Sequence, residues 1–429
     1  MKEFSPYVTA LRQLDKSVRG GPRSVDHAQL DAALDGGAQG ALRSLVHTDK
    51  LREHGAFFTG SRLSARAIGL MASTLTGRSV VLDPACGAGD LLLAAAKALP
   101  IGTESETALA AWSRQIYGRD LRPSFVEAAR LRLTLLARRQ DARCRQVDAT
   151  DEFPHVRAKC GLSDEEAVSR ATHIVLNPPF TRVTAPEHIE WARGSVNNAA
   201  IFLDKCIEHA SAGARIVAIL PDVLRSGWRY RSWRQAVLSR CELQHVGLGD
   251  QFDAHADVNV FVLSVTVRST QRLRAPSSSA WKSPRRPEKT LRDAFDISVG
   301  PVVDYREPRR GSWHPFVHAK TLTPWSTIKE VDERRRFAGR LIAPPFVAVK
   351  RTSRPDDANR AVGSVVNTDV PVAVENHVMV LTPHDGTLRT CKRLLTLLAK
   401  RETTDRLNRA IRCRHLTIGA LADLPWSDA

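Results

Sequence analysis

From residue 79 to residue 267, short apolar runs alternate with stretches of helical periodicity. The runs at 79–83, 115–120, 143–148, 173–177, 214–220, 243–248 and 258–267 have the length and composition of buried strands. Between them, 90–98, 123–139, 197–211 and 229–239 carry apolar residues at helical spacing. This alternation predicts an α/β sheet with helices on both faces. The last two runs are joined only by a loop, so they are expected to pair antiparallel. The polar stretch 181–196 contains Pro186 and Gly194 and reads as a mobile loop.

The flanks have a different texture. Residues 1–50 read as a polar helical extension with Gly-rich breaks and no catalytic constellation, and are too short for a nuclease domain. Residues 271–290 are rich in Ser, Pro and basic side chains without apolar periodicity, the composition of a linker. The remainder, 291–429, has β-like runs at 346–350 and 377–381 and helical segments at 387–400 and 402–411, which predicts a mixed α+β domain.

Candidate chemistry begins at the end of the run 173–177, where Asn177-Pro178-Pro179-Phe180 follows. The two prolines fix two φ angles and remove two N–H donors, leaving a stiff turn that presents carbonyl oxygens. Asn177 adds an amide oxygen and Phe180 a flat ring. Together they suit a planar, amino-bearing group. Pro344-Pro345-Phe346 repeats part of this motif after Ala343 and lacks the amide, so it cannot do the same work.

Upstream, Asp83-Pro84-Ala85-Cys86-Gly87-Ala88-Gly89-Asp90 joins a strand to a helix through a glycine turn. Gly87 and Gly89 allow a tight turn and close approach of a ligand. The carboxylate of Asp83 suits a cationic or amino-bearing ligand and would repel a pyrophosphate. The spacing is neither G-x-G-x-x-G nor a Gly-Lys-Ser/Thr phosphate loop. Cys86 has no adjacent His and reads as a small apolar filler. Asp120 ends the next strand and Asp148 the one after. On residue type alone, Asp120 equally fits a cap of the helix 123–139, Thr59 a cap of the helix after it, Asp148 a loop acid and Phe252 a ring packed on the sheet.

In this order the motifs resemble the DNA adenine-N6 methyltransferases that use S-adenosyl-L-methionine, in the gamma-class arrangement with cofactor motifs first and target recognition last. The resemblance spans about residues 50–267 and extends more loosely over the C-terminal third. It implies a Rossmann-like, seven-stranded class I methyltransferase sheet over 51–270 and a target-recognition domain over 291–429. It implies cofactor contacts from Thr59 in Ala56-Phe57-Phe58-Thr59-Gly60, from Asp83, Ala85, Gly87 and Gly89, from Asp120 and Leu121, and from Asp148. Asn177 and Pro178 would grip the adenine amine, with Phe180 and Phe252 stacking on the extruded base. Arg334, Arg335, Arg336, Lys350, Arg351 and Arg354 would contact DNA, mostly its phosphates. The implied role is the modification enzyme of a restriction-modification or other anti-phage system, with any endonuclease or defence subunit on another polypeptide.

Charge supports a polyanionic partner. The chain carries +17, and residues 271–429 hold 29 Lys and Arg against 17 Asp and Glu. No apolar stretch approaches a membrane span and the N-terminus lacks a signal peptide's apolar run. Seven cysteines without a C-x-x-C pair predict a reduced, cytoplasmic protein with no zinc site or disulfide framework, and the resemblance implies a prokaryotic, nucleoid-associated one. Two rival readings remain. The same hydrogen-bond logic serves a methyltransferase acting on RNA or on a protein glutamine amide, and the fold could serve a catalytically silent DNA-binding subunit of a defence complex.

Overall fold

The computed structural model describes residues 2–21, 25–47, 50–51, 55, 58–101, 106–146, 152–251, 259–269, 289–304, 306 and 308–427. Two compact units emerge, one of residues 1–225 and 229–281, the other of 226–228 and 282–429.

In the first unit, apolar runs build a seven-stranded sheet from β1 (Val81–Asp83), β2 (Ile116–Asp120), β3 (Val156–Ala158), β4 (His173–Leu176), β7 (Arg215–Pro221), β8 (Cys241–Gln251) and β9 (Asn259–Val267). Their order is β3-β2-β1-β4-β7-β9-β8. β3, β2, β1, β4 and β7 run parallel, whereas β9 is antiparallel to both β7 and β8. The strands are almost continuously apolar because both faces are covered. Val81, Val175, Val217 and Ile219 enter one core with the helices Asp90–Ala98 and Pro123–Gln140. Leu82, Ile174, Leu176, Ile216 and Ala218 enter the other with Asn198–His209 and Arg231–Arg240. The order of addition reverses between β1 and β4, opening a crevice at their carboxyl ends.

Two expectations change. The third strand is Val156–Ala158 and not 143–148, because Ala142–Gln146 is a 3-10 helix. Asp141 accepts a hydrogen bond from the Arg143 N–H at 3.0 Å, and its carbonyl takes the Cys144 N–H at 3.0 Å. Such local bonds compete with a strand ladder. The stretch 181–196 is not a simple loop. β5 (Arg182–Thr184) and β6 (Ser195–Asn197) pair antiparallel, closed by the Ala185 N–H to Gly194 O bond of 2.7 Å and by Gly194 at φ 71°.

The N-terminal helices Ser5–Arg19, His27–Leu34 and Gly37–Leu45 bury Leu11, Leu30 and Leu42 in the same core as the glycine turn. Phe4 meets Phe58 and Phe125 edge-on at 5.8 and 4.9 Å. Arg138 is fully buried and pairs with Asp15. Arg132, also buried, donates to Ala33 O (2.7 Å), Ala88 O (2.6 Å) and Asp90 Oδ1 (2.8 Å).

The second unit holds a five-stranded sheet, β10 (Phe295–Val299), β17 (Val378–Pro383), β14 (Phe346–Lys350), β15 (Gly363–Val366) and β12 (Thr327–Ile328) in spatial order. A smaller sheet contains β13 (Arg334–Phe337), β11 (Ser312–Val317) and β16 (Ala373–Val374). The helices Leu388–Leu398 and Arg401–Ala410 bury Leu394, Leu398 and Leu407 against Val347, Val349 and Leu381. Phe346, from the repeated Pro-Pro-Phe letters, is a core residue. No helix among the described residues is long and apolar enough to cross a membrane.

Because Arg132 serves three acceptors with a rigid fork, Arg132→Ala should destabilise the unit by about 3–5 kcal/mol through the uncompensated Asp90. Arg132→Lys should recover only part of that loss. Urea unfolding of the three proteins measures both effects, and an equally stable Ala variant would refute the account.

Candidate active site at the carboxyl edge of the sheet

Parallel pairing brings the carboxyl ends of β1, β2 and β4 together, and with them Asp83, Asp120 and Asn177. The register pairs Asp83 with Gly118, two residues before Asp120, and Leu82 with Ile174, three residues before Asn177. A cavity of about 460 Å³ opens there. Its wall includes Thr59, Asp83, Ala85, Gly87, Asp120, Leu121 and Asn177. Gly89, Pro178 and Phe180 stand outside that wall. Gly89 starts the helix Asp90–Ala98 at φ 89°, with Ala129 so close that a Cβ would lie 3.0 Å from its methyl. Pro178 is buried and Phe180 half-buried, packed against both cores. Asp148 and Phe252 lie outside the described residues.

The glycine turn is held from several directions. Gly87 has φ 51°, and a Cβ there would come within 2.9 Å of the Phe58 ring. Its N–H donates to Asp120 Oδ2 at 3.2 Å, and the Cys86 N–H donates to Arg119 O at 2.8 Å. Asp120 Oδ1 also accepts from the Arg122 N–H at 2.8 Å. Burial raises its pKa above the ordinary value against these bonds. Burial also pushes the Cys86 thiol well up, which makes it a poor nucleophile.

Asp83 is 1 % exposed and accepts the Ala85 N–H at 2.9 Å. Burial pushes its pKa up to about 8 against that bond, with Asp120 and Asp90 adding repulsion. A buried carboxyl in this state has room for a cationic or hydrogen-bond-donating ligand. Leu121 is 71 % exposed, an apolar side chain left open at the cavity.

At the amide, Asn177 Nδ2 donates to Thr59 Oγ1 at 2.9 Å. Thr59 thereby meets the N-P-P-F turn as well as the cavity. The neighbouring Gly60 N–H donates to Asp90 Oδ2 at 2.9 Å.

Gly55, Gly161, Arg182 and Asn198 are among the cavity residues that sequence reasoning missed. A Cβ on Gly55 would lie 2.9 Å from Pro179 and Thr181, and one on Gly161 would lie 1.9 Å from Pro84 O. These are close backbone approaches to the two motifs, and only the isolated glycines hinted at them.

The C-terminal basic residues divide by burial. Arg334, Arg336 and Arg354 are exposed, and Lys350 and Arg351 partly so. Arg335 is 3 % exposed, pairs with Asp304 and lies over the Phe316 ring at 5.4 Å. It is buried and not a surface contact, because alternation along β13 turns it inward between Arg334 and Arg336.

The N-6 DNA methylase family matches residues 42–271, more than half of the chain. The chain belongs to this family. No curated protein matches it. Among solved structures, the type IIL restriction-modification enzyme MmeI in complex with DNA aligns with TM-score 0.53 at 12% identity, covering 90% of this chain and 70% of that one. The type IIG restriction endonuclease BpuSI aligns with TM-score 0.43 at 14% identity over 85% of this chain. The EcoKI M protein of a type I restriction enzyme aligns with TM-score 0.39 at 18% identity, covering 64% of this chain and 56% of that one. The chain spans 57% of the length of BpuSI. At these identities the likeness to MmeI is one of fold: a central, mostly parallel sheet of the class I methyltransferase kind.

The methylase family's cofactor is S-adenosylmethionine, and the cavity fits it. Its volume is in the range of small-molecule sites. The buried, high-pKa Asp83 suits a positively charged or hydrogen-donating group, Asp120 at a strand end suits hydroxyls, and Leu121 offers an apolar face.

The raised pKa of Asp83 has a definite sign for stability. The folded state holds a proton that the unfolded state releases near pH 4, so its contribution is complete at low pH and is lost as pH rises towards about 8. The apo wild type should lose up to about 1.4 kcal/mol per pH unit more than Asp83→Asn between these limits. Urea midpoints at pH 5 and 7, each about a unit inside the window, measure this. Equal pH slopes for the two proteins would refute it.

Proposed function

We propose that this methylase transfers a methyl group from S-adenosylmethionine to N6 of an adenine extruded from double-stranded DNA. The observation that carries the reading is the Asn177 amide at the end of β4, tied by its nitrogen to Thr59 and lining the same cavity as Asp83 and Asp120. With Nδ2 occupied as a donor, Oδ1 is the end that serves as acceptor.

When bound, S-adenosylmethionine supplies a methyl group on a sulfonium, already a strong electrophile. The chain's own residues therefore have to hold and align. Asp83, Ala85, Gly87, Asp120 and Leu121 line the cofactor's cavity, and Gly89 sets the helix that backs it. Adenine N6 is a weak nucleophile because its lone pair is delocalised into the ring. Asn177 Oδ1 and the Pro178 carbonyl each accept one N6 hydrogen, which draws the nitrogen towards tetrahedral geometry and aims its lone pair. Preorganised acceptors of this kind can supply several kcal/mol without a strong base. The half-buried ring of Phe180 stacks on the extruded base and offsets part of the unstacking cost of a few kcal/mol.

Within this reading Thr59 is a positioning residue for Asn177. An Asn amide can face either way, and a hydroxyl that accepts from Nδ2 selects the orientation with the oxygen towards the base. The exposed Arg334, Arg336 and Arg354 and the partly exposed Lys350 and Arg351 remain candidates for phosphate contact. MmeI is a restriction-modification enzyme by name, which supports a role as the modification enzyme of such a system.

Tritiated methyl transfer to DNA, RNA and protein tests the substrate class, and labelling of RNA or a glutamine amide instead of DNA would end the adenine reading. Asn177→Ala should lower methyl transfer by about a thousandfold or more while cofactor affinity changes little. Equal loss of both would make Asn177 structural. Thr59→Val should lower kcat about tenfold to hundredfold with cofactor Kd nearly constant, and Thr59→Ser should restore it. A rise in cofactor Kd alone would return Thr59 to the role of cofactor ligand.

A further inference from the structure

The chemistry above leaves unused the segment 222–234, which follows β7 and of which residues 226–228 belong to the second unit. It carries Arg225, Arg229, Arg231 and Arg234 against a single acid, Asp222, and that acid is buried and bonded to Arg225 at 2.7 Å. Its place in the fold is defined. β7 lies beside β4, with Leu176 paired to Ala218, so the segment leaves the sheet at the same edge as the N-P-P-F turn.

Two hydrogen bonds fasten it there. Asn197 Nδ2 donates to the Phe180 carbonyl at 3.1 Å, and the Asn197 N–H donates to the hydroxyl of Tyr230 at 2.8 Å. Tyr230 is buried, so its neighbours Arg229 and Arg231 are exposed on either side of an anchored point one residue from the turn's own support. Arg229 Nη2 also donates to the carbonyl of Arg193, an exposed residue of the β5–β6 hairpin. The hairpin brings Glu187 and Glu190 as well, so the positive excess resides on 222–234. Burial lowers the pKa of Arg234 to about 10, with Arg225 and Arg231 adding smaller contributions.

We propose that Arg229, Arg231 and Arg193 hold the phosphates of the target strand that flank the extruded nucleotide. This deepens the reading of the chain as a DNA methylase and rests on it. An extruded base stays joined to its two phosphates, which must lie at the mouth of the pocket. Arginines beside the Phe180 turn are placed to meet them and to release counterions, a contribution independent of base sequence. The assignment puts a phosphate clamp in the catalytic unit itself, apart from the basic surplus of the C-terminal residues.

The test is duplex binding by the full chain, measured by fluorescence anisotropy between about 50 and 200 mM salt, the range over which phosphate contacts change affinity most visibly. For Arg229→Gln with Arg231→Gln, the slope of log K against log salt should fall by about two, one per lost phosphate contact, for every duplex sequence. Arg229→Lys with Arg231→Lys should keep the slope. Cofactor affinity reports folding; if the double variant loses it, Arg231→Gln alone is read, with an expected fall of about one. An unchanged slope in a cofactor-binding variant overturns the clamp, and so does a fall shared equally by an RNA that wild type does not methylate. Failure of wild type to methylate DNA would instead overturn the reading beneath it.

Discussion

The candidate site depends on β1 being paired in parallel on both sides. One register with β2 and another with β4 bring the ends of three strands to one edge, although Asp83, Asp120 and Asn177 are far apart in the chain. A parallel ladder requires a crossover between successive strands, and here those crossovers are helices buried on both faces of the sheet. The reversal of strand order beside β1 then separates the crossovers and leaves the crevice open. Close packing of Val81, Leu82, Ile174 and Val175 in two cores therefore fixes the positions of polar groups that make no contact with one another in sequence.

Around that edge, backbone approach matters as much as side-chain chemistry. Phe58 lies on Gly87, Gly55 on Pro179 and Thr181, and Gly161 on the Pro84 carbonyl. Each contact excludes a Cβ, so the turns are held by neighbours that differ from them by tens of residues. Thr59 joins this set through the Asn177 amide, which links the segment before the first strand to the turn after the fourth. The N-terminal helices extend the support through Phe4 and Arg132, giving the opening residues a share in the floor of the site.

Charges in this protein do opposite things at different depths. Arg132, Arg138, Arg335 and Arg360 are buried and serve carbonyls or carboxylates of the fold; Arg360, for example, donates to Ser353 O and Cys413 O at 3.2 and 2.8 Å. Arg229, Arg231 and Arg193 are exposed on the site's edge. Net charge counts both classes alike. Desolvation separates them, since a buried guanidinium must find its acceptors inside the protein, whereas an exposed one keeps its field for a ligand.

Strand runs and amphipathic helices were legible from the chain because burial on two faces leaves a strong local pattern: 90–98 and 123–139 reappear as Asp90–Ala98 and Pro123–Gln140, and the antiparallel pair at the sheet's end was expected from its short connection. Asp83, Asp120 and Asn177 could be picked out for the same reason, each ending an apolar run that forms a strand of the sheet. Local bonds around Asp141 defeated the strand expected at 143–148, and the short pairing of β5 with β6 carried too weak an alternation to read. Periodicity reports which side of an element is dry. It contains nothing about which distant backbone will come within a Cβ's reach of a glycine, which arginine of Arg334, Arg335 and Arg336 will find Asp304, or which hydroxyl will orient Asn177. Those are contacts between segments far apart in the chain, and they exist only once the sheet has closed its register.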